Sequence, residues 1–436
     1  MPPRTASTGD MLYGVMNRRR FASASLAAVP LLGQTPAGRK YKTALIGSGW
    51  WGMNILREAI AGGECATVAL CDPDTAQLDK AAADLGKVSG DQPRRYRDYR
   101  DMLARERPDI CIVATPDHWH ALPTIDAVKA GSHVYVEKPV SHTVDEGKAM
   151  VRAAREADRL IQVGLHRRVS PHPISGMEFL KSGKVGRIGM VRLFAHAAGG
   201  AGAKTPDSEA PATLDWNLWL GPAPQRAFNK AIHPRGFRQF LDYANGTLGD
   251  WGVHWMDQLL WWTDETHPKT VYSHAGRHVR QDSTDAPDTQ IVTFEFDQFQ
   301  AIWEQRHYAG NESEKHLIGA YFYGTEGVFH MGWRDGWTFY PSKKSQQAIH
   351  VEPQLKTVDA HNIEELWADF MQAIKSKRRP VRDIEIGYRA TSAVLLGMVS
   401  WKLRRSVHWD GKQCPGDAEA NRLLRRPYRA PWVYPV

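Results

Sequence analysis

The stretch from Lys42 to Leu56, KTALIGSGWWGMNIL, is an apolar run that closes on Gly47, Gly49 and Gly52 and then continues with helical spacing. It reads as G-x-G-x-x-G set between a strand and a helix. Gly47 allows a tight turn, Gly49 lets a pyrophosphate approach the backbone, and Gly52 lets helix and strand pack closely, which leaves helix N–H groups aimed at phosphates. A second apolar run, Thr67 to Cys71, ends in Asp72, where a dinucleotide fold places its ribose-binding carboxylate. No Arg or Lys follows Asp72 closely, so this carboxylate accepts a 2′-hydroxyl and repels a 2′-phosphate, which favours NAD over NADP.

The β-α alternation persists beyond this point. Asp74 to Leu85 has helical apolar spacing, Asp98 is placed to cap a helix running to Glu106, and Asp109 to Ala114 reads as a buried parallel strand. The loop Thr115-Pro116-Asp117-His118-Trp119-His120 then leaves the carboxyl end of that strand, the edge where an open α/β sheet binds its ligand. A helix ending at Gly131, the strand His133 to Val136, a helix from Val144 to Ala157 and the strand Ile161 to Val163 complete a dinucleotide-binding domain assigned to residues 38–166. Glu137 and Lys138 follow their strand directly, and Pro139 stops the sheet, a geometry that projects the Lys138 ammonium into the ligand crevice. A lysine there stabilises a developing alkoxide; its bland alternative is a solvated pair with Glu137.

Residues 167–436 change texture. Period-two alternation marks strands at Met190 to Ala197, Thr270 to His278, Thr289 to Asp297, Ala301 to Tyr308 and Leu317 to Tyr323. The expected class is therefore α/β, a Rossmann domain followed by an α+β domain with a large open, mostly antiparallel sheet and C-terminal helices packing back. A partner subunit would cover the sheet's second face, making a dimer or tetramer. Asp250, His254 and Asp257 share one face if Gly249 to Trp262 is helical. That face reads as an acid–base set, with a metal site or a satisfied core histidine as alternatives. Trp50 and Trp51 are bulky for positions beside a pyrophosphate, and one of them is a candidate wall near the nicotinamide or sugar ring. Trp216, Trp219, Trp251, Trp255, Trp261 and Trp262 read as core residues. His166, Arg167, Arg168 and Tyr243 are secondary candidates.

The glycine loop, Asp72, the Thr-Pro-x-x-x-His loop and Glu137-Lys138-Pro139, in this order, resemble the glucose–fructose oxidoreductase, inositol dehydrogenase and rhizopine-catabolism family (Gfo/Idh/MocA). The resemblance extends through Asp215 to Pro222, Gly249 to Asp257 and Tyr428 to Trp432 to the exported, tryptophan-rich branch of that family. It implies a cofactor site built from Gly47, Gly49, Trp50, Trp51, Gly52, Asp72, Thr115, Pro116, His120, Glu137 and Lys138. It also implies that Lys138 and His254 surround the alcohol being oxidised, that Asp250 orients His254 or binds a neighbouring hydroxyl, and that an arginine at 167 or 168, with Tyr243, lies beside the substrate. No metal is called for. The activity implied is NAD-dependent hydride transfer at a secondary alcohol of a sugar, glycoside or polyol. Transient oxidation followed by elimination, a glycosidase or lyase reaction, is the alternative, and a sugar sensor without turnover a third reading.

Composition narrows the partners. The chain has 436 residues and a net charge of +8, but four arginines against one aspartate precede residue 38 and the rest is dispersed. Arg94-Arg95-Tyr96-Arg97 and the run from Lys375 to Arg379 read as solvated helix ends, so nucleic acid is excluded as a partner. Asn17-Arg18-Arg19-Arg20-Phe21, followed by a modestly apolar stretch from Ala22 to Leu32, reads as a twin-arginine signal over residues 1–37. It makes the twin-arginine translocase a partner and the periplasm the destination. The apolar stretch is too short for a permanent membrane span. Cys65, Cys71, Cys111 and Cys414 show no disulfide or zinc spacing and read as buried small hydrophobes.

Overall fold

The computed structural model describes residues 39–263, 265–310, 314–356 and 361–436; the expected export signal lies outside them. The first sheet is built from β1 (Tyr41–Ile46), β2 (Cys65–Cys71), β3 (Arg94–Tyr96), β4 (Ile110–Val113), β5 (His133–Val136) and β6 (Ile161–Val163). Between these strands run α1 (Trp50–Ala61), α2 (Thr75–Gly86), α3 (Tyr99–Glu106), α4 (Ala121–Lys129) and α5 (Val144–Glu156). The strand order is β3-β2-β1-β4-β5-β6, all parallel. This is the doubly wound order whose direction reverses between β1 and β4, so the loops leaving those two strands open one crevice. Local chemistry sets the helix starts: Asp74 and Asp98 accept the backbone N–H of Ala76 and Arg100 and cap α2 and α3. Arg94 and Arg95 do not end a helix as their charge suggested. They form β3 with Tyr96, an edge strand whose two arginine side chains are exposed, where charge blunts an open edge.

A second sheet follows α6 (Pro171–Lys181). Its strands are β7 (Ile188–His196), β8 (Thr270–Gly276), β9 (Thr289–Glu295), β10 (Gln300–Arg306), β11 (Ile318–Gly324), β12 (Gly327–Gly332), β13 (Trp337–Pro341), β14 (Ile349–Val351) and β15 (Val407–His408). They lie in the order β14-β13-β12-β11-β7-β10-β9-β8-β15, antiparallel except where β10 runs parallel to β7. One face is buried against helices; on the other stand Tyr272, Ile291 and Met190, all exposed. The helices of this half are α7 (Trp216–Leu220), α8 (Val253–Trp262), α9 (Ile363–Ser376), α10 (Ile384–Leu403) and α11 (Ala418–Leu423).

Helix α10 lies between the two sheets. A Cβ on its Gly387 would meet Val163 of the first and Val140 just beyond β5, and one on Gly397 would meet Val292 of the second. Thr391 accepts the Val140 amide at 3.2 Å. Just before α10, Arg382 donates to the Leu165 carbonyl at 2.6 Å and to Asp257 of α8 at 2.7 Å. The segment thus holds α8, with His254 in its first turn, against the end of the first sheet. All four cysteines are free and buried.

Candidate active site

A cavity of about 700 Å³ opens at the switch between β1 and β4 and runs to the first turn of α8, within the usual size of a ligand site. Gly47, at φ +91°, occupies the left-handed region, and a Cβ there would press on the Ala114 carbonyl at 2.5 Å. A Cβ at Gly52 would strike the Gly47 carbonyl, whereas one at Gly49 would meet nothing within 4 Å. The first and third glycines therefore let strand, turn and helix pack, and the second leaves open space at the N-terminus of α1, where a pyrophosphate sits in a dinucleotide fold. Asp72 closes the adenosine end. Its carboxylate accepts the Ser48 and Asp74 amides at 2.9 and 3.0 Å, yet burial outweighs these bonds and pushes its carboxyl up to about 7. Glycine loop, open space and carboxylate together fit a bound dinucleotide.

At the other end the Lys138 side chain leaves Glu137 and crosses to the second half of the chain. Its ammonium donates to the Asp250 carboxylate at 2.5 Å and to the Asp250 carbonyl at 3.0 Å. Glu137 instead accepts the backbone amide of Lys138 at 3.0 Å. Burial alone would raise Asp250, but Lys138, with Arg238 at 3.4 Å, holds its carboxyl well below the usual range. Asp250 lies in a π-helical turn, Leu248–Gly252, that leads into α8. His254 follows, 5 % exposed in the cavity wall, with the Trp333 ring 4.9 Å and the Trp251 ring 6.0 Å away. Burial, and next the Lys138 charge, drive its imidazolium well below the ordinary histidine range, so the ring is neutral at neutral pH. Asp250 does not hold His254 as expected: it pairs with Lys138 and Arg238, and among the described residues Nδ1 of His254 has no hydrogen-bond partner. That nitrogen lacks the fixed tautomer an orienting carboxylate would impose.

Thr115, Pro116, His120, Trp50 and Trp51 line the same cavity. His120 faces the Pro139 and Thr115 carbonyls at 2.6 and 2.9 Å and ties the Thr115 loop to the segment after Lys138. Trp51 packs 4.8 Å from His361, and Arg235 lies 5.1 Å above Trp50. Three expectations fail. Arg168 pairs with Asp257, and Arg167 is buried with its guanidinium 3.6 Å from the Trp333 ring centre, behind the wall. Neither borders the cavity, because the turn after β6 directs both into the packing beneath α8. Tyr243 is fully buried, 5.0 Å from Trp219 and 5.1 Å from His118, so it supports the wall instead of facing substrate. Asp257 faces Arg168 and Arg382: the π-helical turn adds a residue before α8, so Asp250 and Asp257 do not share a face with one environment.

Residues 41–165 match the family described as "Oxidoreductase family, NAD-binding Rossmann fold", and residues 198–434 match "Oxidoreductase family, C-terminal alpha/beta domain". The chain belongs to the Gfo/Idh/MocA oxidoreductase family. Its first domain is an NAD-binding domain. Among solved structures of similar fold are the WlbA dehydrogenase from Bordetella pertussis in complex with NADH and UDP-GlcNAcA (19 % identity, TM-score 0.64, 85 % of this chain and 99 % of that one) and a levoglucosan dehydrogenase in complex with NADH and levoglucosan (18 %, 0.65, 85 % and 99 %). The aldose-aldose oxidoreductase from Caulobacter crescentus, complexed with glycerol, gives 18 % identity and a TM-score of 0.63 over 85 % of this chain and 100 % of that one. Among curated relatives, a glycosyl hydrolase family 109 protein of Stenotrophomonas maltophilia (strain K279a) is 37 % identical over 142 residues, 30 % of this chain and 31 % of its own length. The match thus spans about a third of that relative.

Within this Gfo/Idh/MocA site several lining residues had no motif to announce them. Arg238, Trp333, Arg334 and His361 border the cavity; Arg238 comes from a short 3₁₀ turn, Gly236–Gln239, and the others from irregular connections, none with a characteristic spacing. Asp117 stood inside the quoted loop without being singled out; it is buried beside the cavity, and burial, partly countered by Arg238, pushes its carboxyl up to about 7. Trp219 and Trp251 line the cavity as well, while Trp255 is core as expected.

Proposed function

We propose that this oxidoreductase transfers hydride between a secondary alcohol of a sugar, glycoside or polyol and tightly held NAD. The observation that carries this reading is the single cavity shared by the glycine loop and the Lys138–Asp250–His254 group. NAD supplies the hydride acceptor or donor when bound. The chain's part is proton handling: the neutral His254 ring accepts the carbinol proton on oxidation, and the Lys138 ammonium, steadied by Asp250, hydrogen-bonds the oxygen as its charge grows. Gly47, Gly49 and Gly52 provide the pyrophosphate turn, Asp72 the ribose acceptor, and Trp50 and Trp51 an apolar wall. Thr115, Pro116, His120 and Glu137 frame the crevice between.

The partial match to glycosyl hydrolase family 109 proteins supports a second reading. Transient oxidation of a ring carbon acidifies the neighbouring proton, elimination expels the aglycone as an alcohol and leaves an unsaturated ketone, water adds across its double bond, and return of the hydride to the ketone restores the ring hydroxyl. The Asp250-Trp251-Gly252-Val253-His254 pattern favours the dehydrogenase. One experiment separates the two: mass spectrometry of the cofactor released on denaturation, followed by a panel of sugars and glycosides read both for nicotinamide absorbance and for bond cleavage. Cleavage without net absorbance change would replace the first reading by the second, and release of no dinucleotide would end both.

Export by the twin-arginine translocase to the periplasm, and a homo-oligomer built on the open sheet face, belong to the same proposal. Arg18 and Arg19 support the first, and the exposed apolar side chains of β8 and β9 the second. Replacing both arginines by lysine should leave the protein in the cytoplasm; undiminished export would refute that part.

A further inference from the structure

The outer face of the second sheet holds a group of side chains that the proposed reaction does not use. His330 of β12 stands opposite Tyr321 of β11 and Thr338 of β13, while its neighbours Phe329 and Met331 point the other way into the core. His316, just before β11, lays its ring over His330 with centroids 3.7 Å apart and planes at 21°. Asp335, in the turn between β12 and β13, pairs with Nδ1 of His316. One ligand atom from each of these three residues lies within 4.8 Å of the others.

As a purely packed arrangement this is poorly satisfied. His330 is fully buried, and among the described residues neither of its ring nitrogens has a hydrogen-bond partner; Nε2 of His316 is buried without one too. Buried polar atoms are normally paired, and several orphaned nitrogens around one carboxylate point to a missing partner that accepts lone pairs. The other cluster of this kind, His196 with Glu304 and Glu314, is different: Arg192 and Arg306 already neutralise both its carboxylates.

We propose that His316, His330 and Asp335 form a divalent transition-metal site, with Zn²⁺ the preferred ion. Two imidazoles and a carboxylate suit zinc; magnesium and calcium require mostly oxygen ligands. Stacked rings do not aim both lone pairs at one point. Coordination therefore turns the His316 ring out of the stack about its side-chain torsions and exchanges its bond to Asp335 for a shared ion, with solvent completing the tetrahedron. The role is structural. The turn carrying Asp335 is closed by the Gly332 amide on the Gly336 carbonyl at 2.8 Å, and the intervening Trp333 and Arg334 line the active-site cavity. An ion on the outer side of that turn fixes the wall on its inner side.

The test uses the full chain, expressed with zinc, freed of any affinity tag, dialysed and measured by elemental mass spectrometry. About one Zn²⁺ per chain is expected, and Co²⁺ substitution should give the visible bands of a tetrahedral nitrogen–oxygen site. His316→Gln and the more exposed Asp335→Asn should each lose the ion and the bands, while His254→Ala should keep both. Circular dichroism selects the variants that are folded, and either one suffices. A wild-type chain that takes up no ion on titration with ZnCl₂, or folded variants that retain it undiminished, would overturn the site. Neither result bears on the NAD cavity, whose reading stands or falls with His254 and Lys138.

Discussion

Asp250 and Asp257 are both paired with cations and only seven residues apart, yet they have opposite uses. Asp250 meets Lys138 and Arg238 at the cavity, where the side chains of Lys138 and Asp250 keep 16 and 20 % of their exposure. Asp257 meets Arg168 and Arg382 beneath α8, where Asp257 keeps 2 % and Arg382 none. A carboxylate between two guanidiniums has no mobile proton to offer, since arginine does not deprotonate, and it is fixed by two-pronged geometry. A carboxylate on a lysine at a water-filled edge steadies a group that can donate. The cation and the access to solvent, more than the acid itself, separate machinery from scaffold.

The comparison breaks most readily through the partners on the cavity side. His254→Ala and Lys138→Ala should each lower turnover about 10²- to 10⁴-fold, the usual share of acid–base assistance, and the double variant should lose far less than the product because the two act as a unit. Bound NAD, counted by mass spectrometry, should not change. A His254→Ala enzyme with near-normal turnover on its identified sugar would remove His254 from the proton path.

On the scaffold side the expected loss is in folding. Asp257→Ala leaves Arg382 and Arg168 as buried charges without a counter-ion, and breaking such a pair costs about 3–5 kcal/mol. Urea titration should show that drop in the midpoint. An unchanged midpoint would mean that water reaches the arginines and that the contrast with Asp250 is one of degree.

How much of this could be read beforehand follows from where each signal resides. The strands β1, β4, β5 and β6 and the Lys138 crevice were legible because glycine spacing and short apolar runs are local. Strands β12 to β14 were not: Gly327, Gly332 and Gly336 interrupt their alternation, and pairing between strands supplies what propensity lacks. Helix α10 is buried almost all round from Ala390 to Ser400, so it carries no stripe to recognise. In the site, His254 came with a motif and a family pattern. Arg238 and Trp333 came only with tertiary structure, and the fate of Asp257 was decided by Arg382, 125 residues away.

A third carboxylate sharpens the comparison because it rests on no cation. Asp72 rests on two backbone amides, and burial pushes its carboxyl up to about 7. Its folded value lies above the ordinary 3.8, so ionising it works against the ligand-free fold, and its contribution to stability is lost as pH rises from 3.8 through about 7. Binding should respond in the opposite sense. A ribose hydroxyl donates to the ionised form, so NAD affinity should rise with pH through about 7, by roughly 10- to 100-fold for a hydrogen bond to a charged group. Asp72→Ser should flatten that profile and, with a nearby arginine added, favour NADP. A profile unchanged by Asp72→Ser would assign the ribose to another residue.

The smallest effect is the most direct test of what distinguishes the two acids. Asp250→Asn removes the charge but keeps the size, and the Lys138 ammonium, on a side chain 16 % exposed, stays within reach of the Asp250 carbonyl. A partly solvated pair contributes about 0–1 kcal/mol, so the urea midpoint should shift by no more than that, well under the loss for Asp257→Ala. Turnover should nevertheless fall, because an unsteadied ammonium samples positions away from the reacting oxygen. Acid stability gives the sign independently: Lys138 and Arg238 hold the Asp250 carboxyl well below its ordinary value despite burial, so its stabilisation is present above that ordinary value and is lost as pH falls through the depressed one. Asp250→Asn should remove this acid-side dependence and lower the neutral-pH midpoint by the same small amount. A midpoint loss as large as that of Asp257→Ala would place Asp250 with the scaffold and leave Lys138 and His254 to account for the chemistry alone.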